Sequence, residues 1–281
     1  MRLLRSGRLL AFLGCCGLPA SSALAEAALP PSMRALEAAV GGLTTDQRRR
    51  AEQLTSLFEN DSLDLRYEYI EDIGDGRGFT AGRAGFTTAT GDLVEVVERY
   101  RNLRQVNVLV TFIPELKRVA AAQSRDTSGL AGLPTAWTEA ANDPLFRRAQ
   151  DQEVETVYFQ PAMAAADALG LRTALGRAVL YDTIIQHGNG GDPDGLSQLV
   201  LEAKASSGDP GRGDAEERAW VKVFVGIRRA HLAHAADPAT RAVWALSVTR
   251  CDVFLQLIDE MNFALDGPIR VHSGGYQETI P

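Results

Sequence analysis

The sequence predicts an α+β fold, mostly helical, with a small antiparallel sheet beside a cleft. Three observations predict it. Apolar residues recur at helical spacing through most of the chain beyond residue 90. One stretch, residues 65–90, changes to alternation and is broken by glycines. A chain of 281 residues that is 45% hydrophobic and 23% charged is long and apolar enough for a sizeable core.

The elements follow in order. Arg2, Arg5 and Arg8 precede an apolar run from Leu9 to Leu18, too short to span a bilayer, and Ala23-Leu24-Ala25 has the small-x-small pattern of a cleavage site. Residues 1–25 therefore read as a secretory signal peptide, and Cys15 and Cys16 fit a lipid-attachment motif poorly. Residues 26–42, rich in Ala, Pro and Gly, read as a linker, and residues 43–281 as a single domain. Thr44 and Gln47 have the spacing of a capping box. The helix after them puts Ala51, Leu54, Leu57 and Phe58 inward and ends at Glu59, with Asn60 as its left-handed stop. Arg48, Arg49 and Arg50 at its start read as a solvated face.

Leu65, Tyr67 and Tyr69 alternate with polar neighbours and predict a strand. Gly74, Gly76 and Gly78 mark a tight turn, and Gly82 and Gly85 break the sheet that follows. Asp92 opens a helix with Leu93, Val96, Val97 and Tyr100 inward. Beyond it, helical spacing covers segments near 106–122, 144–158, 161–169, 171–187, 194–205, 214–235 and 238–262. Asp143-Pro144 is an N-cap with proline at N1, and His187-Gly188 is a helix stop. Trp244, Val248, Cys251, Leu255 and Ile258 form one apolar stripe. Arg212-Gly213-Asp214 lies in a loop, where Asp214 with Glu217 reads as a capping pair.

Charge and cysteine content narrow the chemistry. Removing the leader takes three of the 29 basic residues and none of the 36 acids, so the formal charge moves from −7 to about −10. Such a surface disfavours nucleic acid and suits a polycationic ligand. Cys251 is the one cysteine beyond the leader, so packing and not a disulfide must stabilise the domain.

Two carboxylates carry the candidate chemistry. Glu59 closes a helix, and Asp75 sits in a glycine-flanked turn 16 residues later. Hydrolysis of a glycosidic bond needs such a pair: a carboxyl to protonate the leaving oxygen and a carboxylate to activate water, the two about 6.5–9.5 Å or more apart when the reaction inverts, so that the water fits between them. The negative helix end and apolar Leu57 and Phe58 would raise the pKa of Glu59, as a proton donor requires. By position alone, a solvated helix-end glutamate is the commoner use of the residue. Asp75 is the candidate base, with Arg77 able to keep it ionised and Thr80 able to hold the water; a plain turn aspartate is the bland alternative.

Asp182, in the apolar run Val179–Ile185, is expected to be buried and to pair with Arg228 or Arg229, and with Arg241. Counted from Asp75, Arg77 and Phe79 fall where a calcium loop needs oxygen ligands, and no phosphate-loop lysine follows the glycines. His231 and His234 have metal-ligand spacing but lack a third ligand, so they read as ordinary surface or core histidines, and no metal or cofactor is expected. No nucleophile elbow or dinucleotide fingerprint is present.

The stretch Tyr69-Ile70-Glu71-Asp72-Ile73-Gly74-Asp75-Gly76-Arg77-Gly78-Phe79-Thr80, preceded by Glu59-Asn60, strongly resembles the signature of bacterial chitosanases of glycoside hydrolase family 46. Gly85-Phe86, Thr90-Gly91-Asp92, Tyr158-Phe159, Tyr181-Asp182 and His187-Gly188 continue the similarity. The resemblance implies that residues 43–281 are one catalytic domain with a lysozyme-like two-lobed fold, and it implies inverting endo-hydrolysis of β-1,4-linked glucosamine polymers. By motif position it implies Glu59 as proton donor, Asp75 as base and Thr80 as the residue holding the water. It implies Tyr69, Glu71, Arg77, Asp92 and His187 as substrate-binding positions, and Asp182, Arg228 and Arg241 as a supporting charge network. Asn189 stands where the family pattern has proline, and the Arg228–Arg241 spacing is short. The expected partner is chitosan, a cationic polysaccharide. The expected protein is a secreted monomer, extracellular or periplasmic, without membrane attachment after cleavage. A muramidase-like peptidoglycan hydrolase and a non-catalytic polysaccharide-binding protein are the competing readings.

Overall fold

A computed structural model describes residues 42–281 apart from 75, 212 and 239. The signal peptide and all of the linker before residue 42 lie outside the described residues, as does Arg212 of the Arg-Gly-Asp tripeptide. Among the described residues, no helix is long and apolar enough to cross a membrane.

The domain is mostly helical with a small antiparallel sheet. It begins with α1 (Thr45–Asn60). Thr44 caps it by accepting from the Gln47 amide, and the Gln47 side chain returns the bond to the Thr44 N–H. The left-handed stop falls one residue later than expected, at Asp61 with φ 51°, a conformation that a short polar side chain tolerates. The arginines at the start of α1 are not a solvated face. Arg48 pairs with Glu52 and Glu155 and lies over the Phe159 ring, while Arg49 and Arg50 both donate to the Pro281 carbonyl.

The sheet has the order β1 (Ile70–Asp72), β2 (Phe79–Ala81), β3 (Phe86–Thr87). Ile70 pairs with Ala81 and Asp72 with Phe79, and Thr80 pairs with Thr87. The strand expected from Leu65 starts only at Ile70. Around Tyr67 the backbone is satisfied by side chains instead: the Tyr67 carbonyl accepts from Trp137 Nε1 at 3.0 Å and Gln150 Nε2 at 2.9 Å.

Helices α2 (Asp92–Leu103), α3 (Ile113–Ala121), α4 (Leu133–Ala140) and α5 (Pro144–Val154) surround the sheet end. Their core is aromatic, with Phe146 set edge-on against Trp137 at 4.8 Å and tilted against Tyr100 at 5.0 Å. A π-turn at Glu155–Phe159 leads into α6 (Gln160–Leu169). Next comes α7 (Ala174–His187), in which only Ile185 and Gln186 escape full burial. Such a helix must be packed on all sides. It is capped by Thr173 and stops at Gly188 with φ 72°. Around it lie α8 (Leu196–Ser207), α9 (Asp214–Ala233), the short α10 (Arg241–Trp244) and α11 (Thr249–Asp259). Glu217 does not pair with Asp214; fully buried, it accepts from the backbone of Arg172 and Thr173 at the start of α7. A hairpin of β4 (Ile269–Val271) and β5 (Glu278–Ile280) ends the chain, with Tyr276 and Phe254 both against Phe58 of α1. Cys251 is buried and forms no disulfide among the described residues.

Candidate active site

The last turn of α1 divides its side chains. Leu57 and Phe58 go into the core, whereas the Glu59 side chain is 21% exposed and meets Arg250 of α11, Nη2 to Oε1 at 2.5 Å. Arg250 is itself buried and reaches Asp182 Oδ1 at 3.4 Å. Asp182, on α7, is fully buried, and its Oδ2 lies 2.7 Å from Arg228 of α9, also fully buried. Thr55, one turn before Glu59, donates to Asp182 at 3.2 Å.

Four charges thus alternate in sign from the interior to the end of α1: Arg228, Asp182, Arg250, Glu59. Burying any one alone would cost several kcal/mol, so each needs its neighbour. Burial alone would weaken the charge on Arg250, but Asp182 and Glu59 outweigh it and hold the guanidinium more firmly protonated than usual. Arg228 is where the sequence reading expected it. Arg241 is not in the chain; its guanidinium donates to the Ala235 and Ala236 carbonyls. Arg229 pairs with Asp252 at the surface. The second arginine on Asp182 is Arg250, which the sequence reading missed. Its only sequence signal was a cation beside Cys251 on the apolar stripe.

Opposite in chemistry is the connection between β1 and β2, residues 73–78. Asp75, the expected base, lies outside the described residues. The frame around it is described. Gly74, Gly76 and Gly78 all have φ between 72° and 85°. At Gly78 a Cβ would stand 2.3 Å from Thr88 Oγ1, so both backbone angle and space demand glycine. Thr88 fastens the connection by donating to the Arg77 carbonyl and accepting from the Phe79 N–H. Arg77 is exposed. Thr80 is buried on β2, and its Oγ1 has no hydrogen-bond partner among the described residues.

Tyr69 and the exposed Glu71 are joined by a hydrogen bond of 3.3 Å at the sheet edge. Asp92 sits at the first turn of α2, where its Oδ1 accepts from Thr87 N, Thr90 Oγ1 and Leu93 N. Burial lifts the Asp92 carboxyl above its usual range against the pull of those donors. His187 is 5% exposed and lies edge-on to Trp244 at 4.9 Å. Its Nδ1 is 2.8 Å from the Asp194 carbonyl, which can only accept, so Nδ1 carries the proton. Burial and the field of Arg228 press its pKa well below the ordinary value, so the ring is neutral. Arg83, buried, ties the sheet to the helices through Asp151 at 2.5 Å and Glu52 at 3.3 Å.

A cavity of ≈ 490 Å³ lies on the flank of α1, lined by Glu52, Asp64, Tyr67 and Arg147 among others, but Glu59 does not line it. The site is therefore defined by the charge chain, not by that hollow. No group of His, Cys, Asp and Glu that could hold a metal occurs among the described residues.

Comparison with known proteins gives the class. The family model of glycosyl hydrolase family 46 matches residues 53–269. A chitosanase of Bacillus subtilis (strain 168) is 48% identical over 84% of this chain and 85% of its own length. A chitosanase of Streptomyces sp. (strain N174) is 38% identical over 80% and 82%. Among solved structures, a glutamate-to-alanine variant of a chitosanase from Bacillus subtilis MY002, complexed with six GlcN units, matches with TM-score 0.80 and 47% identity, covering 85% of this chain and all of that one. A chitosanase from Gynuella sunshinyii in complex with chitotetraose matches with TM-score 0.80 and 44% identity, over 85% and 99%. The fold is thus the lysozyme-like helical fold of glycoside hydrolases. The chain belongs to glycosyl hydrolase family 46.

Proposed function

We propose that the chain is a chitosanase, cutting β-1,4-linked glucosamine polymers internally with inversion at the anomeric carbon. Relatives at up to 48% identity over most of the chain support the substrate class. The observation that carries the mechanism is Glu59 at the open end of the alternating charge chain, 2.5 Å from Arg250. Glu59, ionised in its resting pair with Arg250, takes up a proton from solvent before the step and donates it to the bridging oxygen as the glycosidic bond breaks. The carboxylate so formed faces Arg250, which stabilises the charge as it develops in the transition state. Asp182 and Arg228 fix Arg250 in place and balance its charge.

Asp75 takes a proton from a water that attacks the anomeric carbon from the opposite ring face. The buried Thr80 hydroxyl, which has no hydrogen-bond partner among the described residues, fits the role of orienting that water. Afterwards Asp75 loses its proton to solvent. Glu71 and Asp92 supply carboxylates for the substrate's ammonium groups, Tyr69 supports Glu71, and Arg77 helps keep Asp75 ionised. His187, neutral and buried, shapes the wall and carries no charge to the sugar. Residues 1–25 are proposed to export the chain.

Glu59→Gln and Asp75→Asn are each expected to lower turnover on chitosan by several orders of magnitude without unfolding the protein. Proton NMR of the earliest products is expected to show the α-anomer. Retained activity in either folded variant would remove the role given to that residue, and a β-anomer would rule out single displacement.

A further inference from the structure

Outside the site, one cluster of titratable groups is built with unusual completeness. His231 on α9 is held between two carboxylates from different elements. Its Nδ1 lies 2.8 Å from Asp194 Oδ1, and its Nε2 lies 2.9 Å from Glu202 Oε2 of α8. An ionised carboxylate only accepts, and a neutral imidazole has a single N–H. Both contacts can be hydrogen bonds at once only when the ring carries two protons.

Asp194 is the centre of the 188–195 loop. It is 6% exposed. Its other carboxylate oxygen accepts from Ala236 N at 2.7 Å, its carbonyl accepts from His187, and its N–H donates to Asp192. The loop is closed on itself: Leu196 N donates to the Gly188 carbonyl at 3.2 Å, and a Cβ at Gly195 would lie 2.6 Å from the Gly190 carbonyl. Glu202 is steadied from α8 by Gln198 at 2.9 Å. A single side chain therefore joins α8, α9 and the loop that leaves the end of α7.

We propose that His231 is a positioning residue: a proton-operated clasp that holds the glycine-rich loop 188–195 in place when charged and lets it open when neutral. Its consequence for turnover rests on the reading that the loop after His187 borders the chitosan-binding cleft; the clasp itself does not.

The surrounding charges agree in sign. Partial burial works against the imidazolium, but Glu202 and Asp194 outweigh it, so His231 titrates above its ordinary value of 6.5. Glu202 is correspondingly held below its usual range by Gln198 and His231. The other charged groups around this face are engaged elsewhere. Arg228, one turn earlier on α9, is paired with Asp182 of α7, and Arg229 with Asp252 of α11. Arg241 of α10 is bound to backbone carbonyls. His187 is neutral and disfavoured further by the His231 charge. A folded pKa above the unfolded one means that the clasp contributes fully below 6.5 and is lost as pH rises through the folded value. Mild acid is also where glucosamine amines carry charge, so the loop is fastened when the polymer is cationic.

The test uses the full chain and three variants. Hydrogen exchange of peptides covering residues 188–196 is followed at pH 5.5 and 8.5, corrected for intrinsic rates, and the His231 titration is read by NMR. Wild type is expected to exchange about tenfold faster at pH 8.5 than at 5.5, as loss of a charged hydrogen bond would allow. His231→Gln should exchange fast at both pH values. His231→Arg, a permanent cation with several donors, should stay protected at both. Glu202→Gln should lower the His231 titration. Equal protection at the two pH values in wild type, or a His231 titration at or below the ordinary value, overturns the clasp. KM for a glucosamine hexamer is measured in parallel. Loss of substrate charge raises KM with pH in both proteins, so a rise that is steeper in wild type than in His231→Arg supports positioning at the cleft. Exchange that responds while the KM profiles of wild type and His231→Arg coincide overturns the positioning role and leaves chitosan hydrolysis untouched. Absence of chitosan hydrolysis at every pH defeats the functional reading, while the exchange data still decide the clasp.

Discussion

The two sides of the candidate site are held by different physics. On the α1 side, Glu59 is fixed by ion pairs between buried groups far apart in sequence, from Arg228 through Asp182 and Arg250. On the sheet side, strands of three, three and two residues carry a connection fastened by the Thr88 hydroxyl and by glycines at positive φ. The first arrangement depends on charge in a dry interior. The second depends on local backbone conformation. A proton donor whose conjugate base must be stabilised gains from the first. The base proposed for the glycine turn would gain from the second. Each side therefore has its own weak point, and substitutions can probe them separately.

Arg250→Ala is expected to have the largest effect. It leaves Glu59 without its cation and Asp182 with a single guanidinium in a dry site. Removing one partner of a buried ion pair costs about 3–5 kcal/mol. Turnover on chitosan is expected to fall at least about a hundredfold, since small displacements of a catalytic group cost that much. Urea denaturation and kcat, measured well below the new Tm, check both figures. Arg250→Lys sharpens the result: it keeps the charge but cannot fork between Asp182 and Glu59. Wild-type turnover in folded Arg250→Ala would mean that Glu59 is positioned by α1 alone.

Gly78→Ala comes next and acts on the sheet. The residue has φ 73°, and the new methyl would stand 2.3 Å from Thr88 Oγ1. A cost of about 1–3 kcal/mol is expected, with kcat reduced out of proportion to stability because the connection carrying Asp75 is displaced. Gly74→Ala is the control. Its φ is 72°, but among the described residues nothing lies within 4 Å of the added Cβ, so only the backbone term of about 1–2 kcal/mol applies. Similar kcat losses in the two variants would show that the Thr88 contact has no part in placing the turn.

The same contrast explains what the sequence could and could not disclose. Features written in neighbouring residues were legible: the Thr44–Gln47 capping box, the Asp143-Pro144 start, the stop at His187-Gly188, the glycine turn at 74–78. The burial of Asp182 was also legible, because a lone acid in an apolar helix has few alternatives. Its partners were not. Arg250 reaches Glu59 across 191 residues, and no local spacing distinguishes it from Arg241, which faces backbone carbonyls instead. Tyr67 alternated like a strand residue, yet tertiary bonds from Trp137 and Gln150 replace the ladder there. His231 and His234 shared a metal-like spacing, whereas the carboxylates that define His231 come from α8 and a distant loop.

Thr44→Ala is the smallest of these changes and tests whether the two ends of α1 are independent. It removes the hydroxyl that accepts from Gln47 N at 3.2 Å, at an expected cost of about 1 kcal/mol. Gln47 keeps its bond to the Ala264 carbonyl, and Arg50 keeps its bonds to Leu265 and Pro281, so the first turn stays attached to the C-terminal segment. Fraying there has to pass through Ala51, Leu54 and Leu57, all buried, before it reaches Glu59. At that end the helix is gripped by Arg250 and by the bond from Thr55 to Asp182. Thermal unfolding is therefore expected to shift slightly while kcat stays unchanged. If kcat falls with the cap, Glu59 is placed by the whole helix and not by the ion pairs at its end. The contrast between the two sides of the site would then fail on the side where the structure makes it strongest.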